Sequence, residues 1–415
     1  MGVVSRSWTT RAGVATTALF AVSALAAVAV VPAVASPRIA LSVAGAEPGD
    51  RVVVAGHRFT ERARARIALG ARTMRRARTG PRGGFRLAFV VPNRSAGLYR
   101  VKAFVGGRSV RRPFRIRPVP DPLKLVAAGD VACEPGQPET ATTCRQAHTA
   151  DLVESLAPDA VAVLGDAQYM SGGLEDFLTV YDPTWGRFKA ITHPAVGNHE
   201  YDGVPERNAA AGYFAYFGAA AGDPARGYYS WELGNWTMLV LNSGNIRHTR
   251  VGADGGAALP NDCWPVSCAK GSAQELWLRG ELERLRSDAC VLAYWHHPRF
   301  SSGYGSAPQP HRETGPMFRA LYEHGAELVL SAHAHNYERF EPRSPGGRPH
   351  ERGVTQFVVG TGGKSLHADT AAPQTPTLRT DVFGVLELSL GHTGWRSRFV
   401  AEGGSTVDAA RGDCD

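Results

Sequence analysis

A chain of 415 residues that is 43% apolar and 20% charged can bury more than one hydrophobic core, and those proportions exclude disorder along its whole length. The net charge of +8 is unevenly placed: residues 37–120 hold 20 Lys/Arg against 3 Asp/Glu, which leaves 121–415 net acidic. A basic module is joined to an acidic one.

Residues 1–35 have the pattern of an export signal. Arg6 and Arg11 precede an apolar run from Ala12 to Val31, and Ala33-Val34-Ala35 offers a small-residue cleavage site before Ser36. An uncleaved anchor is the alternative, since the run approaches spanning length; Pro32 and the small residues favour cleavage. A secreted or cell-surface location makes the six cysteines candidates for disulfides. The expected pairs are Cys133–Cys144 and Cys263–Cys268, leaving Cys290 with Cys414. A zinc site is the rival, but no Cys-x-x-Cys spacing is present.

Residues 36–119 are expected to form a small all-β domain. Arg51-Val52-Val53-Val54, Phe85 to Val91, Tyr99 to Val105 and Val110 to Ile116 are β-rich runs. Glu47-Pro48-Gly49-Asp50 and Gly80-Pro81-Arg82-Gly83-Gly84 are turn clusters between them. The stretch Gly97-Leu98-Tyr99-Arg100-Val101 is similar to small immunoglobulin-like modules attached to bacterial surface enzymes. The surplus of arginine suits an anionic cell-wall polymer, polyphosphate or nucleic acid bound by counterion release. The plainer reading is arginine serving as a solubilising surface residue. No motif for reading nucleic-acid sequence is present.

Pro118-Val119-Pro120-Asp121-Pro122 is a stiff connector, and the second domain is expected over 120–415. There strands and helices alternate. Strands are expected at Leu123 to Ala128, Asp159 to Leu164, Thr192 to Val196, Tyr228 to Leu233, Trp236 to Leu241, Cys290 to Trp295 and Glu327 to Ser331. Three more are expected at Gln356 to Val359, Val382 to Leu390 and Trp395 to Val400. Helical patterns cover Thr142 to Leu156, Glu313 to His324, and a segment opened by the capping box Ser272-Ala273-Gln274-Glu275. The pattern predicts an α/β layered fold with a mixed sheet.

Asp130, Asp166, Asn198, His296 and His333 each lie just past an apolar run, where open α/β sheets bind ligands. Singly, each has a plain explanation. Gly-Asp after a strand is a common turn, Asn198 suits a left-handed turn, and His296 suits a hydrogen-bonded core position. His333 and His335 share a face if the backbone is extended. Together, carboxylate, amide and imidazole without thiolate suit Fe, Zn or Mn. Two metals a few ångströms apart need a bridging carboxylate, for which Asp166 is the candidate. Such a pair clamps the attacking and leaving oxygens of a phosphoryl transfer.

These residues resemble the calcineurin-like metallophosphoesterases, and among them the purple acid phosphatases. The matching pieces are Gly129-Asp130, Gly165-Asp166-Ala167-Gln168-Tyr169, Gly197-Asn198-His199-Glu200, His296-His297-Pro298 and His333-Ala334-His335-Asn336-Tyr337-Glu338-Arg339. The resemblance implies a four-layer α-β-β-α sandwich. It implies a ferric ion on Asp130, Asp166, Tyr169 and His335, and a divalent Zn, Fe or Mn on Asp166, Asn198, His296 and His333. It gives His199 the role of acid beside the phosphate, in hydrolysis of phosphate monoesters by a metal-bound hydroxide. Phosphodiesters or nucleotides are alternative substrates, and a wall-anchored binding protein is the reading from a different class. His297, Tyr304 and His311 are candidates for the substrate pocket or for packing. Ala132 and Ala332 stand where the family has glycine.

Overall fold

The computed structural model describes residues 36–92, 94–118, 121–202, 210–247, 262–286, 289–302, 311–367 and 377–414. The expected export signal over 1–35 lies outside the described residues. The chain separates into two compact units, one ending at Arg117 and the other beginning at Pro118. Among the described residues no helix is long and apolar enough to cross a membrane.

The first unit is built of two sheets over one core. Three strands, Arg38–Leu41, Arg51–His57 and Phe85–Val90, form one sheet in that order. The other runs Gly45–Ala46, Arg108–Ile116, Gly97–Val105, Arg64–Leu69, Arg72–Arg78. Val52, Val54, Ile67, Val101 and Phe114 meet between them and are fully buried. The last two strands were not expected from the sequence. In Arg64–Leu69 the inward positions Ala65, Ile67 and Leu69 alternate with exposed Arg64 and Arg66, so the strand period is present but carried by arginine.

The second unit holds two mixed sheets rather than one. In the six-stranded sheet Thr192–Ala195, Ala160–Leu164 and Leu123–Ala128 run parallel, and Gly384–Gly391, Gly394–Ala401 and Thr406–Asp413 follow antiparallel. Pro194, which cannot donate to a ladder, sits in the edge strand. The seven-stranded sheet has four central parallel strands: Trp236–Val240, Cys290–Tyr294, Leu328–Ser331 and Val354–Val359. Tyr229–Leu233 flanks them on one side, with Tyr337–Arg343 and Leu378–Arg379 on the other. Buried side chains of both sheets, among them Leu125, Val163, Met238, Leu292 and Phe357, belong to one core.

Helices cover the sheets. Gln146–Leu156 buries Ala150, Leu152 and Val153 in that core. Ala273–Arg284 and Gly315–Glu323 bury Leu278, Leu282, Met317, Phe318 and Leu321 in a second core with Val291, Ala293 and Val329 of the seven-stranded sheet. The Ser272 hydroxyl accepts from Glu275 N at 3.2 Å, as the capping pattern predicts, but the Glu275 carboxylate turns to Gly271 N instead of the cap. All six cysteines pair as Cys133–Cys144, Cys263–Cys268 and Cys290–Cys414, with Cα separations of 5.4, 5.4 and 5.6 Å. The last ties the central strand Cys290–Tyr294 to the C-terminal end.

Candidate metal centre

The ends of the two sheets converge. Gly129 N donates to Val359 O at 2.9 Å, and the His296 ring reaches across to Leu164 O. Asp130, Asp166 and Asn198 follow strands of the six-stranded sheet; His296 and His333 follow strands of the seven-stranded sheet. The backbone there is tightly constrained. A Cβ on Gly197 would lie 2.1 Å from Asp166 Oδ1, and one on Gly165, at φ +90°, would lie 2.7 Å from His296 Nδ1. Asp130, Asp166 and His333 themselves have φ of 56°, 49° and 68°. His333 is therefore not in extended backbone, and it does not share a strand face with His335. The two histidines point into different halves of the cluster.

One half gathers Tyr169, Asp130 and His335. The Tyr169 hydroxyl donates to Asp130 Oδ1 at 2.6 Å and lies 2.9 Å from His335 Nε2. The other half gathers His296 and His333, with His333 Nδ1 3.2 Å from His296 Nε2. Asp166 Oδ2 lies between them, 3.1 Å from the Tyr169 hydroxyl and 3.1 Å from His296 Nε2. Ligand atoms of Asp166, His296 and His333 all lie within 4.8 Å of one another. Asn198 opens the short helix Asn198–Tyr201, and its Oδ1 is buried with no hydrogen-bond partner. An acceptor left alone at that position is what a cation would satisfy.

The electrostatics favour positive charge in the cluster. Two carboxylates, Asp130 and Asp166, are 0% and 1% exposed and share the same few ångströms. Burial opposes their ionisation, but His335 beside Asp130, and His296 with His199 beside Asp166, hold both below the ordinary carboxylate range. His296 shows the reciprocal effect: burial works against its charge, and the Asp166 carboxylate lifts it to about 9. Burial, then Asp130 and Asp166, drive the Tyr169 phenol far above its usual value. The protein alone therefore keeps Tyr169 protonated, and only a cation among these oxygens would favour its phenolate. The donor set of carboxylate, phenol, amide and imidazole oxygens and nitrogens fits hard or borderline transition metals.

The histidine rings are fixed from behind. His296 Nδ1 donates to Leu164 O at 2.9 Å, and His335 Nδ1 faces Ser365 O and Oγ at 3.1 and 2.8 Å. Each leaves Nε2 facing the cluster. His199 Nδ1 donates to Met170 O at 2.8 Å, its ring lies 4.3 Å from that of Tyr169, and its Nε2 is 3.9 Å from Asp166 Oδ2. His297, which is buried, and half-buried His311 lie next to His333, their ring centres 4.2 and 5.2 Å from its own. Tyr304 lies outside the described residues.

Sequence reasoning quoted Glu200 only as part of a motif. The structure gives it a distinct place: its buried carboxylate accepts from the backbone N–H groups of Gly197 and Ala167 at 2.7 Å, Asp166 at 3.1 Å and Gln168 at 3.3 Å. It binds together the loops carrying Asp166 and Asn198. Ser243 was missed as well; its hydroxyl lies 2.9 Å from His297 Nδ1. The signal for Glu200 was its place two residues after Asn198, and no sequence signal marked Ser243.

Residues 123–337, more than half of the chain, match the family profile of the calcineurin-like phosphoesterases. The chain belongs to that family. Among curated proteins this phosphoesterase is similar to purple acid phosphatase 15 of Arabidopsis thaliana, 25% identical over 224 residues, 46% of this chain and 38% of the relative. Probable purple acid phosphatase 20 of the same plant is 24% identical over 257 residues, 57% of this chain and 51% of the relative. The chain thus spans about half or less of the length of these relatives. A purple acid phosphatase from yellow lupin seeds shares the fold, with a TM-score of 0.51 at 17% identity, covering 90% of this chain and 73% of that one. The phosphoesterase is purple acid phosphatase-like. Its two departures from the motif, Ala132 and Ala332, are both outside the positive-φ region, so their methyl groups impose no backbone strain.

Proposed function

We propose that the chain is a secreted phosphoesterase that hydrolyses phosphate monoesters at a two-metal centre, with Fe(III) at one position and Zn, Fe or Mn at the other. The observation that carries the proposal is the central place of Asp166. Its Oδ2 lies 3.1 Å from both the Tyr169 hydroxyl and His296 Nε2, which supports one carboxylate shared between two donor sets. Asp130, Tyr169 and His335 would complete the ferric position, and Asn198, His296 and His333 the divalent one. When bound, the two cations supply charge to polarise a phosphoryl group and lower the pKa of water. His199 holds its ring through Nδ1–H to Met170 O, which leaves Nε2 to hand a proton to the leaving oxygen. His297 and His311 would flank the ester. The two sheets with helices outside them support the four-layer α-β-β-α reading of this unit, and the paired sheets of the first support the immunoglobulin-like one. Three disulfides support export to an oxidising compartment.

The test is hydrolysis of p-nitrophenyl phosphate against bis(p-nitrophenyl) phosphate, with Asn198→Ala beside the wild type and metal analysis of both. Faster turnover of the monoester, lost in Asn198→Ala together with bound metal, is expected. Equal hydrolysis by the two proteins would refute the metal-site assignment, and preference for the bis-ester would refute monoester specificity.

A second reading, that the basic unit holds the enzyme on polyphosphate or an anionic wall polymer, has its own support. In the five-stranded sheet Arg64 faces Arg78, Arg66 faces Arg76 and Lys102 faces Arg111 across neighbouring strands. Like charges directly opposite destabilise a sheet, and a bound polyanion would relieve them. The full chain should be retained on an immobilised polyphosphate matrix and released by salt, with Arg66→Ser/Arg76→Ser eluting earlier. Retention that ignores salt or both substitutions would refute it.

A further inference from the structure

Beside the imidazole cluster the chain gathers a second set of cations for which the proposed reaction has no use. Arg299 follows His296 by three residues and Arg312 follows His311. With Lys270 and Arg319 they line a cavity of about 240 Å³. Arg279, also on its wall, is neutralised by Glu275 and Glu323. Among the described residues the other four form no ion pair, although residues 121–415 are net acidic.

Arg299 shows most clearly that something is missing. Its Nη2 donates to Pro345 O at 3.1 Å, but Nε and Nη1 are buried with no acceptor. The guanidinium lies against Gly315, the first residue of the nine-residue helix Gly315–Glu323; a Cβ there would be 3.5 Å from Nε. A helix N-terminus carries partial positive charge, so a guanidinium is placed at the unfavourable end. Burial and then Arg312 push Arg299 below its ordinary arginine value, and Glu313 offsets this only in part. Arg319, exposed on the cavity wall with Lys270, adds to the repulsion. Every contribution but Glu313 is relieved by one compact anion.

We propose that this cavity binds a phosphate-type oxyanion, separate from the phosphoryl group that reacts at the metal cluster. A tetrahedral dianion offers acceptors to the orphaned Arg299 N–H groups and charge to Lys270, Arg312, Arg319 and the helix end. The volume lies below the roughly 300–1,000 Å³ of pockets for drug-sized ligands, which suits a small ion with its waters. The anion is either free phosphate, the product of the proposed reaction, or a second phosphoryl group on the substrate.

Calorimetric titration of the metal-loaded wild type with inorganic phosphate should show two sites per chain, and Arg312→Ala/Arg319→Ala should show one. Both residues are exposed and outside the metal cluster, so the variant should hydrolyse p-nitrophenyl phosphate within about twofold of wild type. Lys270→Ala provides a milder variant should the double one unfold, with the second site weakened at least several-fold. Equal site numbers and affinities in wild type and variants would overturn the proposal. If the chain is not a phosphatase the metal-site equivalent disappears from all proteins, but the difference of one equivalent between them remains. The source is separated by a bisphosphorylated substrate. A KM raised in the double variant for that substrate alone assigns the cavity to substrate, and an unchanged KM with the second equivalent lost assigns it to free phosphate.

Discussion

Replacing Glu200 by Gln changes one atom type and tests whether the metal-site loops depend on a single buried carboxylate. Oε1 accepts from Ala167 and Gln168, and Oε2 from Asp166 and Gly197. Whichever oxygen becomes the amide nitrogen, two backbone N–H donors then face another donor. Burial, then Asp166, lifts the Glu200 carboxyl to about 7, so the acceptor is charged above that pH. There each hydrogen bond to it contributes about 1.5–3 kcal/mol, and losing two costs about 3 kcal/mol or more. For the second unit, Pro118–Asp415, of roughly 300 residues and with about 2.1 cal/mol/K of unfolding entropy per residue, that corresponds to a fall in Tm of roughly 5 °C. The same loss loosens Asp166 and Asn198 together, so metal content should fall with stability. Thermal unfolding followed by circular dichroism, with metal analysis of the purified variant, measures both. A Glu200→Gln protein with unchanged Tm and full metal content would refute the claim that this carboxylate organises the site.

Gly197→Ala should abolish hydrolysis while leaving the first unit folded, because the new methyl would occupy a point 2.1 Å from Asp166 Oδ1; wild-type kinetics would show the loop to be more compliant than its geometry implies. Tyr169→Phe should remove the visible absorbance of the metal-loaded enzyme, and a variant as coloured as wild type would show that the tyrosine is not a ligand. Burial raises the Glu338 carboxyl to about 7, against hydrogen bonds from Ser302 N and Oγ. The folded protein therefore binds the extra proton between about pH 4 and 7, and stability should fall as pH rises through that window, by on the order of 3 kcal/mol from this residue. Urea unfolding of wild type and Glu338→Gln at pH 5 and 7.5 checks the sign: the difference between them should shrink at low pH, and a constant difference contradicts it.

The clustering of the candidate site was legible because its residues are placed by strand ends, and strand ends are what apolar runs of four to six residues announce. The partition between sheets was not. Nothing in the runs before Asp166 and His296 says that they lie in different sheets, since parallel strands buried on both faces look alike in sequence. Tyr337–Arg343 and Thr406–Asp413 were missed for the opposite reason. Both carry charged residues that side-chain partners hold in the structure: Arg339 pairs with Asp408, which Tyr337 also contacts. A local pattern cannot show that a charge in a strand will meet its partner about seventy residues away.

For Asp130 and Asp166, the turn reading and the proposed ligand reading are compatible with one backbone geometry. Each follows a glycine at the end of a parallel strand, and each has positive φ, as does His333. That conformation costs an L-residue about 1–2 kcal/mol, though Asp tolerates it better than His. It is held by neighbours: Asp130 N donates to Gly165 O, Asp166 N to Glu200, and His333 N to Asp130 Oδ2 at 2.7 Å. The turn is what swings each side chain off the sheet axis and into the gap between the two sheets. A strand continuing straight would carry these side chains past one another. The strain and the convergence therefore have one origin, and a cation that binds the converged set also stabilises the turns that create it.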